Sequence, residues 1–173
     1  MSNFIGDFIT ESNMKFGPFK KENRFKIEDS CLHKALGDGF KIAEFVALKD
    51  GKLIFVEAKN RGYIRDIRSS YLGSKIKELT EKFENSVDLF LSTYIKWRID
   101  EHDQVGANLT NTDYGAVNGW FYLVINGADD DLCEKLTLIL KDSLRRKRAI
   151  HKFELMVMNH LSAMEYKLIT QFS

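Results

Sequence analysis

The chain predicts an α/β fold: a mixed β-sheet in which an antiparallel hairpin is joined by parallel strands and flanked by helices. Three observations point there. KIAEFVALKDGKLIFVEAK (41–59) is two apolar runs around Asp50-Gly51, a dipeptide that accepts positive φ at both central positions of a two-residue hairpin turn. From Ser74 onward, Ile76, Leu79, Phe83, Val87, Phe90, Tyr94 and Trp97 recur at three- and four-residue steps. That spacing predicts a helix of about six turns with one apolar stripe. WFYLVIN (120–126) and HKFELMVMN (151–159) read as buried strands separated by a helical segment; a crossover of that kind pairs strands in parallel.

The remaining elements follow in chain order. Residues 1–26 offer a short amphipathic segment, NFIGDFI, and a lysine-rich stretch with the only proline, and they predict no definite element. IEDSCLHKALGDG (27–39) predicts a short helix, with acids in its first turn, Lys34 near its end and Gly37 at its stop. Between the long helix and the strand at 120, DEHDQVGANLTNTDYGAVNG (100–119) is polar and without periodicity, the composition of a functional flap. DDDLCEKLTLILKDSLRRKR (129–148) predicts one helix with acids first and bases last, matching the macrodipole. LSAMEYKLI (161–169) predicts a closing helix.

At 173 residues the chain is expected to be a single domain, 1–173, and its 44% hydrophobic content is enough for a packed core. Basic and acidic residues nearly cancel, 26 against 25, so attraction to nucleic acid has to come from a local patch. Cys31 and Cys133 stand in no metal-ligand spacing, and no run approaches the length of a membrane span. These features predict a soluble cytoplasmic protein. No Walker A loop, GxGxxG, GxSxG or HExxH is present, which removes the common nucleotide, hydrolase and zinc-protease classes.

The hairpin carries the chemistry. With the turn centred on Asp50-Gly51, paired residues sum to 101, which sets Glu44 opposite Glu57 and Ile42 opposite Lys59. Opposed carboxylates repel at a Cβ separation of roughly 4.5–5.5 Å, so they call for a compensating charge. A divalent cation with hard oxygen ligands suits them, and Lys59 on the same face could neutralise phosphate charge. The plainer alternative is an ion pair of Glu57 or Glu44 with Lys59 at the rim of the sheet.

An acid, a tight turn, then Glu-x-Lys at the end of the next strand, here AEF and VEAK, resembles the PD-(D/E)xK nuclease superfamily with its restriction-endonuclease-like fold. The resemblance implies that Glu44 and Glu57 bind Mg²⁺, with Mn²⁺ as an alternative ion. It implies further that the Ala58 carbonyl adds a ligand, that Lys59 is the catalytic lysine, and that Glu28 on the first helix is an additional acid. The first acid is Glu44 with no proline before it, and Asp38 in GDGF competes for that role. Family cores often have one more strand before the acid, for which the sequence offers no place.

The expected activity is Mg²⁺-dependent hydrolysis of phosphodiester bonds, in DNA rather than RNA. Alanine at Glu57 or Lys59 is expected to abolish cleavage and spare the fold. The competing expectation is a catalytically inactive module of the same fold that binds nucleic acid or a protein. Arg61, Arg65, Arg68 and Lys75, interleaved with Tyr63 and Tyr71, form the candidate nucleic-acid surface. RRKR (145–148) reads as a solvated helix end. Many such folds dimerise to cut two strands, so a homodimer, or a place in a defence or repair complex, completes the partner expectations.

Overall fold

A computed structural model describes residues 6–37, 39–64, 67–68, 70–95 and 105–172. The chain opens with strands β1 (Asp7–Glu11) and β2 (Met14–Phe19), then a short β3 (Arg24–Phe25), a 3-10 turn Ile27–Asp29 and helix α1 (Cys31–Leu36). The hairpin β4 (Phe45–Lys49) and β5 (Lys52–Lys59) leads into the long helix α2 (Leu72–Tyr94) and the single turn α3 (Ala107–Asn111). Strand β6 (Asn118–Ile125), helices α4 (Asp130–Ser143) and α5 (Arg145–His151), strand β7 (Phe153–Asn159), helix α6 (His160–Glu165) and strand β8 (Ile169–Phe172) complete the order.

The central sheet has the order β3-β4-β5-β6-β7. β3, β4 and β5 run antiparallel to their neighbours in turn, whereas β5–β6 and β6–β7 are parallel, as the mixed-sheet expectation required. Lys49↔Lys52 through Phe45↔Val56 keep the sum of 101, with Asp50 and Gly51 both at positive φ. β3 supplies the strand before the acid for which the sequence offered no place.

Each face of this sheet has its own core. The stripe of α2 and the buried side of α4 cover one face, where Leu79, Phe83, Phe90, Leu136 and Leu140 meet Phe55, Phe121 and Leu123. The other face carries Phe45, Ile54, Val56 and Tyr122, and is covered by β1, β2 and β8, which form a separate three-stranded sheet, together with α6. Burial on both faces explains why β5 reads as an unbroken apolar run rather than an alternating one.

Several elements differ from the sequence reading. The N-terminal segment is a β-hairpin whose two-residue turn, Ser12-Asn13, takes positive φ at both positions. The region 27–39 is a 3-10 turn followed by a six-residue helix, so Glu28 lies before α1 rather than on it. The helix expected over 129–148 divides at Leu144, which is fully buried; Lys147 then reaches Asp88 on α2 at 2.8 Å and Arg148 reaches Glu154 on β7 at 2.8 Å. The segment after Lys167 is a strand rather than the end of a helix.

Residues 105–119 are docked rather than free as a flap. Leu109 is fully buried, Gly106 N–H donates to the Arg24 carbonyl at 3.1 Å, and the Tyr114 hydroxyl donates to the Leu109 carbonyl. The first residues of that segment, 100–104, lie outside the described residues. No helix among the described residues is long and apolar enough to cross a membrane.

Gly119 faces Phe153 across the β6–β7 pair, and a Cβ there would lie 1.4 Å from the ring. Gly119→Ala should therefore overpack the core and cost about 1–3 kcal/mol, read as a lower urea midpoint at unchanged m-value.

Candidate cation and nuclease site

The site lies where the antiparallel half of the sheet meets the parallel half, at the carboxyl end of β5. Its central residue is Glu57, on a strand paired on both sides and with no exposed surface. One of its oxygens, Oε1, lies 2.6 Å from Lys59 Nζ and 2.8 Å from Lys82 Nζ. The other, Oε2, is buried and has no hydrogen-bond partner among the described residues.

Glu44 enters from the start of β4. The ladder ends at Phe45, and Glu44 N–H donates to the Val56 carbonyl at 3.0 Å, so neither Glu44 and Glu57 nor Ile42 and Lys59 pair as the extended register required. α2 holds this entry: Ser86 Oγ accepts from Ala43 N–H at 2.7 Å, and Asn85 Nδ2 donates to the Lys41 carbonyl at 2.8 Å. Because successive carbonyls of a strand alternate in direction, the Ala58 carbonyl faces the same side of β5 as that of Val56, the side of β4.

The carboxylates that converge are Glu11, Glu28 and Glu44, each offering an oxygen within 4.8 Å of the others. Glu57, expected to share an ion directly with Glu44, is not in that group and sits beside it with the two lysines. Burial first, then the hydrogen bond with Glu28 and the charge of Glu57, pushes the Glu44 carboxyl up to about 9. Burial also raises the Glu57 carboxyl, against the opposing charges of Lys82 and Lys59. Burial works against the charge on Lys82, but Glu57 and the other acids outweigh it and raise its pKa.

The consequence for stability has a definite sign. A carboxyl whose folded pKa lies above its ordinary value of 4.5 favours the fold when protonated, and that contribution is lost as pH rises from 4.5 through about 9. In chelator, Tm should fall across that range, and Glu44→Gln should flatten the fall; an unchanged slope in the variant would dissociate Glu44 from it.

The other expected residues fall around this centre. Glu28 is held by its turn, with His33 bridging the carbonyls of Glu28 and Phe40 at 2.7 Å each. Arg61 is exposed and rims a cleft of about 530 Å³ with Ile125, Gly127 and Asp129, at the carboxyl ends of β5 and β6. Lys75 lies 4.3 Å from the Tyr63 ring centroid, while Lys59 lies 5.1 Å from the same ring. Arg68 is exposed; Arg65 and Asp38 lie outside the described residues.

Two residues of the site carried no weight in the sequence reading. Lys82 stands between Leu79 and Phe83 on the apolar stripe of α2, and a charge at a core position was the available signal. Glu11 had none, because only the folded β1–β2 hairpin brings it to the acids.

Neither a family model, a curated protein nor a solved structure matches the chain. The chemistry of the site therefore rests on its geometry.

Proposed function

We propose that this protein is a Mg²⁺-dependent nuclease that hydrolyses phosphodiester bonds, with DNA as the substrate, on a fold resembling that of the PD-(D/E)xK nucleases. The observation that carries this reading is Glu57 Oε2. A fully buried carboxylate oxygen without a hydrogen-bond partner among the described residues costs stability unless something satisfies it, and the charge of Glu57 acts on Glu44, which converges with Glu11 and Glu28. All are hard oxygen donors, the kind that Mg²⁺ or Mn²⁺ takes. The acids that converge, Glu11, Glu28 and Glu44, fit such an ion and would hold it, with Glu57 outside that group and paired with Lys59 and Lys82.

A bound divalent cation would supply Lewis acidity toward a phosphoryl oxygen. The chain's own residues divide the remaining work. Lys82, anchored on α2, keeps Glu57 Oε1 paired, which leaves Lys59 at the strand end able to turn to a substrate phosphate and offset the charge that develops there. Arg61, Arg68 and Lys75 supply positive charge for the phosphate backbone, and Tyr71, 74% exposed, a face for base stacking.

A second reading is a non-catalytic binding module, and the Glu57–Lys59 ion pair favours it, since such a pair can be structural. Incubation with linear, circular and single-stranded DNA and with RNA, with and without Mg²⁺, separates the two. Mg²⁺-dependent cleavage of DNA that fails in Glu44→Gln supports the nuclease; retention of DNA without cleavage in either condition supports the module.

A further inference from the structure

The chain that leaves β5 brings one aromatic ring to two ammonium groups. Tyr63 N–H donates to the Asn60 carbonyl at 3.2 Å, and this turn sets the half-buried Tyr63 ring against the end of the strand. Lys59 Nζ lies 5.1 Å from the ring centroid, and Lys75 Nζ, from the first turn of α2, lies 4.3 Å from it. Both are inside the ~6 Å over which the electron-rich face of an aromatic ring attracts a cation. Each ammonium also has a carboxylate: Glu57 Oε1 at 2.6 Å from Lys59 and Glu78 Oε2 at 3.6 Å from Lys75. Burial works to raise the Glu78 carboxyl, but the Tyr63 hydroxyl beside it, then Lys75 and Lys59, outweigh that and hold it below its ordinary value. Glu78 thus stays charged and keeps Lys75 at the ring. Lys59 is held less firmly by its acid, because Lys82 lies 2.8 Å from the same Glu57 oxygen and keeps it paired whether or not Lys59 stays. The ring is then what retains the Lys59 ammonium at the strand end. A carboxylate orients an ammonium by neutralising it, whereas a ring orients it and leaves its charge for a phosphate.

We propose that Tyr63 is a positioning residue whose ring holds the ammonium of Lys59 in place for a substrate phosphate, with Lys75 on the same ring as a second cation for the phosphate backbone. This inference rests on the nuclease reading and deepens it by assigning a residue that acts through Lys59. Two ammonium groups on one ring repel each other, a repulsion that Glu57 and Glu78 offset in the free protein and that a phosphate offsets in the complex.

The test joins a spectroscopic signature to kinetics on the full chain, with a melting curve for each variant. The ε-carbon protons of Lys59 and Lys75 should resonate upfield in the NMR spectrum, shifted by the ring current of Tyr63, and Lys59→Met and Lys75→Met assign the two signals. Both shifts are expected to persist in Tyr63→Phe and to vanish in Tyr63→Leu. In Mg²⁺-dependent cleavage of DNA, Tyr63→Leu is expected to lower kcat about tenfold with KM nearly unchanged, Tyr63→Phe to restore it, and Lys75→Met to raise KM instead. Wild-type kcat in a folded Tyr63→Leu, or wild-type lysine signals with no upfield shift, would overturn the proposal. Should Tyr63→Leu fail to fold, the wild-type shifts decide together with Tyr63→Phe: shifts present and full kcat uphold the ring's role, and shifts absent overturn it. Absence of cleavage by the wild type on every DNA would overturn the nuclease reading and the role in catalysis with it, while shifts lost in Tyr63→Leu would still uphold the ring's hold on the two lysines.

Discussion

Replacing Glu57 with alanine is expected to destabilise the protein by about 3–5 kcal/mol, the cost of leaving a buried charge without its partner. Two ammonium groups depend on this carboxylate. Lys59 can turn toward solvent, but Lys82 projects from the buried face of α2 and is only 9% exposed. Truncation at Glu57 removes its ion-pair partner and leaves it buried with only the charges of Glu44 and Glu28 acting on it. The expected measurement is a large drop in urea midpoint for Glu57→Ala, much of it recovered in Glu57→Ala/Lys82→Met, where no charge is left behind. A single variant as stable as the wild type would refute the structural role of the triad. Glu57→Ala is for the same reason a poor test of catalysis, contrary to the expectation that it spares the fold.

Lys59→Met is expected to do the opposite: little change in stability, and a loss of roughly 10²–10³-fold in the rate of Mg²⁺-dependent cleavage, the scale for removing one group that stabilises developing charge. The asymmetry follows from position. Without Lys59, Glu57 still has Lys82 at 2.8 Å, and the lost side chain came from the strand end rather than from the core. Mn²⁺ affinity should hold or tighten, since an internal cation has been removed. The measurement pairs a melting curve with single-turnover cleavage; full activity in a well-folded Lys59→Met would exclude this lysine from the chemistry.

The parts of the fold that could be read in the sequence are those governed by local rules. Asp50-Gly51 fixed the hairpin register because few dipeptides accept positive φ twice, and that register holds from Lys49 to Phe45. The period of Leu79, Phe83, Val87 and Phe90 marked α2 because one face of a helix repeats every three or four residues. Asp129 marked the start of α4, where its side chain accepts from Leu132 N–H at 2.8 Å. The break at Leu144 was not legible, since the composition on both sides suits a helix and the burial of Leu144 at the break is a matter of tertiary packing. The N-terminal strands escaped notice because β1 pairs with β2 and β2 with β8, more than 150 residues away, and no local pattern records such a partner.

The sequence by itself determined the mixed sheet and the placing of an acid and a lysine at the end of β5, because turn chemistry and apolar periodicity act over a few residues. Only the tertiary structure decided how the charges are shared. Lys82 comes from α2, Glu11 from a hairpin of the other sheet and Glu28 from a 3-10 turn, and their meeting is set by packing between distant segments. Electrostatic energy depends on distance and burial, and neither quantity exists until the chain has closed around Glu57.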